Sequence, residues 1–540
     1  MHTLNRIAAA IVLVCVAAGL PARAAQDGAP APAAAAPAFE LERDVASVLK
    51  TFDVPGIAIA IVKDGKVVTA RGFGVRKLGD PAPVDGQTLF EIASNSKAFT
   101  ATALAMLVDE GKLAWDDPVT KHLPGFQMYD PYVTRAMTVR DLLTHRSGLG
   151  LGAGDLLWWP TTTFSTDEII DKLRHIRPAS SFRGAYAYDN LLYIVAGKIV
   201  AEKAGQPWGA AIRARILAPL GMDASTVSLE ENVGKTNLAH AHAKIDGKIA
   251  AVKSMPVSNA VGAVGINSNA EDLAKWMTVL LDGGKIAAAG PERRLFSAAR
   301  GREMWSAQTP INIVEPKAAL AATRPNFNAY GLGFNLSDYR GMKVVSHSGA
   351  LQGFYSLLVM VPQAKLGIAI LTNAESGAAM RALQWRILDR YLDVPPSDWI
   401  ALIDTAERDK HKEEARLRGA AAAARATRSQ PSLALAAYDG EYQDAWYGKA
   451  SIRLEGGKHV LSFARTPDLS GVLEHWQHDT FIVRWKERNF NADAYVSFAL
   501  NPDGSIERMK MAPLSGETDF SFDFADLDFR PLKAAPKVAP

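Results

Sequence analysis

Hydrophobic and polar positions change rhythm along this chain, and each change predicts a different layer of structure. Near the start, Ala58-Ile59-Ala60-Ile61-Val62 and Val67-Val68-Thr69-Ala70 are short apolar runs on either side of Asp64-Gly65. Such a pair suits a turn with positive φ, so the segment predicts a β-hairpin. The pattern then turns helical near 95–110, 138–144, 166–174, 190–204 and 270–282. Strand patterns return at Lys343–Ser346, Tyr355–Val361 and Gly367–Thr372. Early and late strands with helices between them predict an α+β domain over 39–395. It has one antiparallel sheet closed by the two ends of the domain and flanked by helices, with an all-helical insert as the other wall of a cleft.

Residues 396–430 are charged and alanine-rich, as in Glu407-Arg408-Asp409-Lys410, and predict an exposed helical connector. From Pro431 to 530 the segments are short and alternating: Ala450–Leu454, His459–Ala464, Gly471–His475, Thr480–Trp485, Ala494–Leu500 and Ile506–Met511. Turns such as Glu455-Gly456-Gly457-Lys458 and Asn501-Pro502-Asp503-Gly504 separate them. This predicts a small antiparallel β-barrel with a packed core. No ligand site is read from it, and the sequence leaves open whether it caps the cleft. Residues 531–540 read as a disordered tail, and no internal repeat is evident.

At 540 residues the chain exceeds one ordinary core, which agrees with two folded domains. Its net charge of +3 comes without a basic stripe interleaved with aromatics, so nucleic acid is not an expected partner. Arg6 precedes an apolar run from Ile7 to Leu20, and Ala22-Arg23-Ala24 follows as an A-x-A site. Residues 1–24 therefore read as a cleaved signal peptide, and 25–38 as an Ala/Pro-rich linker. The apolar run is too short to span a bilayer, so the mature chain is expected to be periplasmic or secreted, without stable membrane insertion. Cys15, the only cysteine, lies inside the signal. A mature chain without it has no disulfide, thiolate zinc site or thiol catalysis. Sparse histidines without H-x-x-x-H spacing predict no metal, and no cofactor is expected.

The candidate chemistry starts at Ser94-Asn95-Ser96-Lys97, ahead of the helix Ala98 to Leu107. Residues three apart on a helix share one face. A serine hydroxyl needs a base beside it, and a lysine serves only when its pKa falls toward neutrality. The start of a helix adds backbone N–H groups suited to an oxyanion. The tetrapeptide thus fits the nucleophile Ser94 and base or partner Lys97 of an acyl-transfer enzyme.

Tyr188-Asp189-Asn190 and His347-Ser348-Gly349 follow in order. S-x-x-K, Y-x-N and [K/H]-x-G together resemble the penicillin-recognising serine hydrolases: class C β-lactamases, D-alanyl-D-alanine carboxypeptidases, D-aminopeptidases and related esterases. The resemblance extends through Leu142-Leu143-Thr144-His145-Arg146-Ser147-Gly148-Leu149, Pro219-Leu220-Gly221-Met222 and Ala263–Ser268, covering about residues 40 to 395. Val472-Leu473-Glu474-His475-Trp476 and Asp479-Thr480-Phe481 resemble a lipocalin-like C-terminal module found behind some members.

The resemblance implies a β-lactamase/transpeptidase-like fold and several roles. Tyr188 is a second candidate base, its pKa lowered by the neighbouring lysine. Asn190 donates to Lys97 or to the substrate acyl group. His347, Ser348 and Gly349 form an edge strand lining the cleft, with Gly349 letting the substrate backbone approach. The Ala350 N–H joins that of Ser94 in an oxyanion hole. Histidine in place of the family's lysine weakens the fixed cation that binds substrate carboxylates. Arg183-Gly184 stands where relatives have Pro-Gly, and only a local loop change is expected. His145 is expected to support the helical region, and Trp158-Trp159 either to wall the cleft or to pack.

The implied function is an exported serine hydrolase with a small-molecule or short-peptide substrate. Peptidase or amidase on short or D-amino-acid peptides comes first, carboxylesterase next, and β-lactamase third. A non-catalytic binding protein retaining the fold is the alternative of another class. Oligomeric state is not legible.

Overall fold

The expected hairpin is Gly56–Lys63 and Lys66–Gly74, with Asp64 at φ 53° and Gly65 at φ 73°. The structure, a computed structural model, describes residues 39–286 and 292–532. The signal peptide, the linker to residue 38, Cys15 and residues 533–540 of the tail lie outside the described residues. Gly56–Lys63 pairs antiparallel with Leu366–Thr372, setting Ile59 opposite Ile370, so both ends of the domain close one sheet. Its eight strands run Lys66–Gly74, Gly56–Lys63, Leu366–Thr372, Phe354–Val361, Met342–Leu351, Asn335–Tyr339, Asn328–Tyr330 and Thr309–Pro310.

Both faces of this sheet are buried, which explains why Ala58–Val62 reads as a continuous apolar run. Ile57, Ile59 and Ile61 join Val359, Ile368 and Ile370 beneath the helices Leu41–Thr51 and Gly377–Tyr391. Ala58, Ala60 and Val62 face the opposite core, with Ala369 and Leu371. Neither terminal helix is in the sequence reading. A buried Arg386–Asp44 ion pair at 3.0 Å ties them together, and such polar residues blur the apolar stripe.

Helix Ser96–Asp109 runs through the second core, buried from Ser96 to Ala105 and again at Leu107. Being apolar on nearly every side, it can only be a central helix. Phe99 stacks on Trp276 of helix Ala270–Leu281 at 4.1 Å. Helix Leu191–Ala204 and the turn Val261–Val264 meet at Gly197 and Gly262, where a Cβ on Gly262 would lie 2.6 Å from the Tyr193 carbonyl oxygen. That close crossing brings the start of one helix and the end of the turn against Lys97.

Helix Trp399–Ala423 leads to a second eight-stranded antiparallel sheet. Its strands run in chain order from Gly440–Gln443 to Ile506–Pro513, and Arg530–Pro531 adds to Gly440–Gln443. A bridge from Phe529 to Met509 nearly closes the barrel. Aromatic rings fill it, among them Phe463 with Phe529 at 5.7 Å and Tyr438 with Phe498 at 4.8 Å. The barrel packs on the helical region through Trp159–Phe522 and Phe164–Tyr447, ring pairs 6.2 and 5.8 Å apart. Arg465 adds a hydrogen bond to Thr163 Oγ1 and an ion pair to Glu168. Among the described residues, no helix is long and apolar enough to cross a membrane.

Candidate active site

Ser94 sits in a single 3₁₀ turn, Ala93–Asn95, immediately before helix Ser96–Asp109. Ala93 is held at φ 49°, a left-handed conformation that costs a non-glycine residue energy and needs support from its surroundings. That support is a polar clamp. Asn95 Nδ2 donates to Ser356 Oγ (2.8 Å), Ser356 Oγ donates to the Ile92 carbonyl (2.7 Å), and Ile266 N–H donates to Ser96 Oγ (2.9 Å).

Lys97 Nζ donates to Ser94 Oγ at 2.9 Å, to Asn190 Oδ1 at 2.7 Å and to the Ala263 carbonyl at 3.3 Å. Burial brings its ammonium down to about 7, against the opposing pull of Asp155 and Asp189. The S-x-x-K spacing thus delivers a lysine near neutrality beside the hydroxyl. Tyr188 also hydrogen-bonds Ser94, but burial drives its phenol well above the ordinary value rather than below it. Lys97 Nζ lies over the Tyr188 ring, 4.9 Å from its centre. Asn190 accepts from Lys97, where donation was expected. The amide N–H₂ is engaged with Asp155 Oδ2 at 2.8 Å, which leaves Oδ1 to accept from Lys97.

His347, Ser348, Gly349 and Ala350 lie on strand Met342–Leu351, which is internal to the sheet. Its neighbour Asn335–Tyr339 pairs only as far as Ser346, so an open edge begins at His347. The His347 ring is buried, and burial, then repulsion by Lys97, push it down to about 3. It is therefore neutral. With Nδ1–H donating to the Ser348 carbonyl (2.6 Å), Nε2 accepts from the Tyr330 hydroxyl (2.9 Å). Gly349 has a packing reason of its own. A Cβ there would meet Ser356 Oγ at 2.5 Å and the Ile92 carbonyl oxygen closer still. The turn carrying Ser94 makes this close approach.

A cavity of about 230 Å³ opens over Ser94, with Tyr188, Asn190, His347, Ser348 and Ala350 on its lining. Trp158, Trp159 and Tyr186 form an aromatic wall. The barrel completes the lining with Asp519, Phe520 and Ser521, and so caps the cleft. Phe520 meets the Tyr188 ring edge-on at 6.0 Å. Ser521 Oγ donates to Asp155 Oδ2 at 2.8 Å, and Trp158 Nε1 donates to Asp155 Oδ1 at 2.8 Å. Burial lifts the Asp155 carboxyl to about 7. Asp155, Tyr330, Ser356, Asp519 and Ser521 escaped the sequence reading. Each is an isolated polar residue in a short 3₁₀ turn, a strand or a loop, and no spacing rule marks it.

Arg183 and His145 each have specific partners. Arg183 does more than alter a loop: at φ 60°, its guanidinium pairs with the buried Asp141 carboxylate at 2.6 Å. His145, also at positive φ, accepts from Asp189 N–H through Nδ1 (3.2 Å) and packs among the rings of Tyr186, Tyr188, Tyr193 and Tyr330. Among the described residues, no cluster of His, Cys, Asp or Glu could hold a metal.

The family described as beta-lactamase matches residues 41–392, and a domain of unknown function, DUF3471, matches residues 424–531. An unguisins hydrolase of Aspergillus campestris is 29% identical over 86% of this chain and 88% of its own length. Penicillin-binding protein 4 of Amycolatopsis lactamdurans is 31% identical over 59% of this chain and 81% of its own. Among solved structures, the octameric penicillin-binding protein homologue from Pyrococcus abyssi aligns with a TM-score of 0.57 at 22% identity, covering 90% of this chain and 98% of that one. The D-amino acid amidase of Ochrobactrum anthropi aligns at 0.51 and 24% identity, covering 65% and 98%. At these identities the structural likeness speaks for the fold.

Proposed function

The chain belongs to the beta-lactamase family of serine hydrolases, and within it we propose an exported peptidase or amidase that forms an acyl-enzyme on Ser94 and acts on short or D-amino-acid peptides. The observation that carries this reading is the buried Lys97 amine, near neutrality and 2.9 Å from Ser94 Oγ. Ser94 Oγ attacks the substrate carbonyl carbon as its proton passes to neutral Lys97. The developing oxyanion is met by the N–H groups of Ser94 and Ala350. Tyr188, kept protonated by burial, gives its proton to the leaving nitrogen as the C–N bond breaks. The Lys97 ammonium reprotonates the tyrosine. Water then hydrolyses the ester and restores Ser94.

The lining supports the substrate class. His347 is neutral and no lysine or arginine lies on the described lining, so a penicillin or D-Ala-D-Ala carboxylate meets no cation. Asp519 is the one acidic side chain there, and it suits a substrate with a free amino group between aromatic walls. The relative named unguisins hydrolase supports a hydrolase reading. Export rests on the charged start, apolar run and A-x-A site of residues 1–24. A fluorescent acylating probe tests the centre of the reading: it should label the wild type at Ser94 and leave Ser94→Ala unlabelled and inactive. Wild-type turnover by Ser94→Ala on any amide or ester would remove the assignment.

A further inference from the structure

Asp155 gathers three donors from three separate parts of the chain. Trp158 Nε1 holds Oδ1, while Asn190 Nδ2 and Ser521 Oγ converge on Oδ2, each at 2.8 Å. Ser521 comes from the barrel, 366 residues away in sequence. Beside it, the barrel carboxylate Asp523 accepts from Gly154 N–H (2.6 Å) and Leu156 N–H (3.3 Å), the two residues flanking Asp155. The titratable groups facing Asp155 are Lys97, Tyr188 and Asp523, and burial, then repulsion by Asp155, hold the Asp523 carboxyl well above its usual value.

Only an acceptor at Asp155 keeps the Asn190 amide the right way round. With its N–H₂ committed to Asp155, Asn190 presents oxygen to Lys97. A turned amide would set N–H₂ against Lys97, donor against donor when the lysine is charged and in competition with Ser94 for its one lone pair when it is neutral. A continuous line of hydrogen bonds thus runs from Ser521 through Asp155, Asn190 and Lys97 to Ser94.

We propose that Ser521 is a positioning residue of the catalytic centre: its hydroxyl fixes the Asp155 carboxylate, which orients Asn190 and through it Lys97. The barrel is then part of the acylation machinery as well as a cap on the cleft. This rests on the reading of Ser94 and Lys97 above. Removing the Ser521 donor weakens the ionised form of Asp155, so the proton that Asp155 and Lys97 contest moves toward Asp155. Lys97 loses an anion that favours its charged form, and Asn190 loses its orientation.

The test measures kcat and KM for a small neutral ester across pH in the full-length wild type, Ser521→Ala, Ser521→Thr and Arg465→Ala. Arg465→Ala breaks a barrel contact remote from Asp155 and controls for loosened docking. Ser521→Ala should lower kcat about tenfold with little change in KM and move the acid limb to lower pH. Ser521→Thr should restore both, and Arg465→Ala should move neither. An acid limb and kcat unchanged in Ser521→Ala, or the same shift in Arg465→Ala, overturns the proposal. Probe labelling of wild-type Ser94, run alongside, separates that outcome from failure of the underlying reading, in which the wild type would stay unlabelled.

Discussion

Gly349→Ala should damage the enzyme through the nucleophile turn, not through the substrate. The added Cβ would lie 2.5 Å from Ser356 Oγ, 3.0 Å from Ala93 Cβ, and nearest of all to the Ile92 carbonyl oxygen. Contacts below 3.0 Å are essentially never tolerated by a Cβ, so strand and turn must separate by roughly 1 Å. The nearest of these is a backbone carbonyl, the Ser356 hydroxyl is held by its hydrogen bonds to Ile92 and Asn95, and Ala93 is already strained, so relaxation is expensive. Overpacking of this kind costs about 1–3 kcal/mol. A displacement of about 1 Å at the nucleophile lowers turnover by about a hundredfold. Urea unfolding and steady-state kinetics on a small ester check both numbers. Had Gly349 been needed for substrate approach, KM would rise while stability and kcat held. That pattern, or a variant with wild-type stability and kcat, would refute the packing argument.

Three further outcomes follow from the geometry. Neutral Lys97 is the competent base, so kcat/KM should fall as pH drops through about 7, reaching about a tenth of its plateau at pH 6; a flat profile between pH 5 and 8 would contradict it. Asp519→Asn should raise KM about tenfold for an amino-acid amide with a free amine and leave its N-acetylated counterpart unchanged, and equal effects on both would exclude an ammonium contact at Asp519. Removing residues 431–540 withdraws Ser521 and Asp523 and bares Trp159 and Phe164, so small-ester turnover should fall at least about tenfold and a hydrophobic dye should bind; a truncated chain with full activity would show the barrel to be dispensable.

What the sequence determined by itself is local. A serine and a lysine one helical turn apart share a face wherever the helix goes, so the Ser94–Lys97 contact is written in the spacing. Short apolar runs around Asp64-Gly65 specify a hairpin, and runs of alternating strands with glycine turns specify the barrel, because period and turn chemistry act within a few residues. A histidine at 347 is legible as a weak cation from its residue type alone. The tertiary structure decided the rest. Whether Lys97 is near neutral and Tyr188 remains a phenol depends on burial, which no single segment encodes. The direction of the Asn190 amide depends on Asp155, and Asp155 in turn on Ser521, hydrogen-bonded partners that meet only once the barrel has docked. The need for glycine at 349 comes from the strand lying against the Ile92–Ala93 turn, contacts brought together across the whole length of the domain. Isolated polar residues in loops carry no period, so their meaning appears only when folding places them against one another.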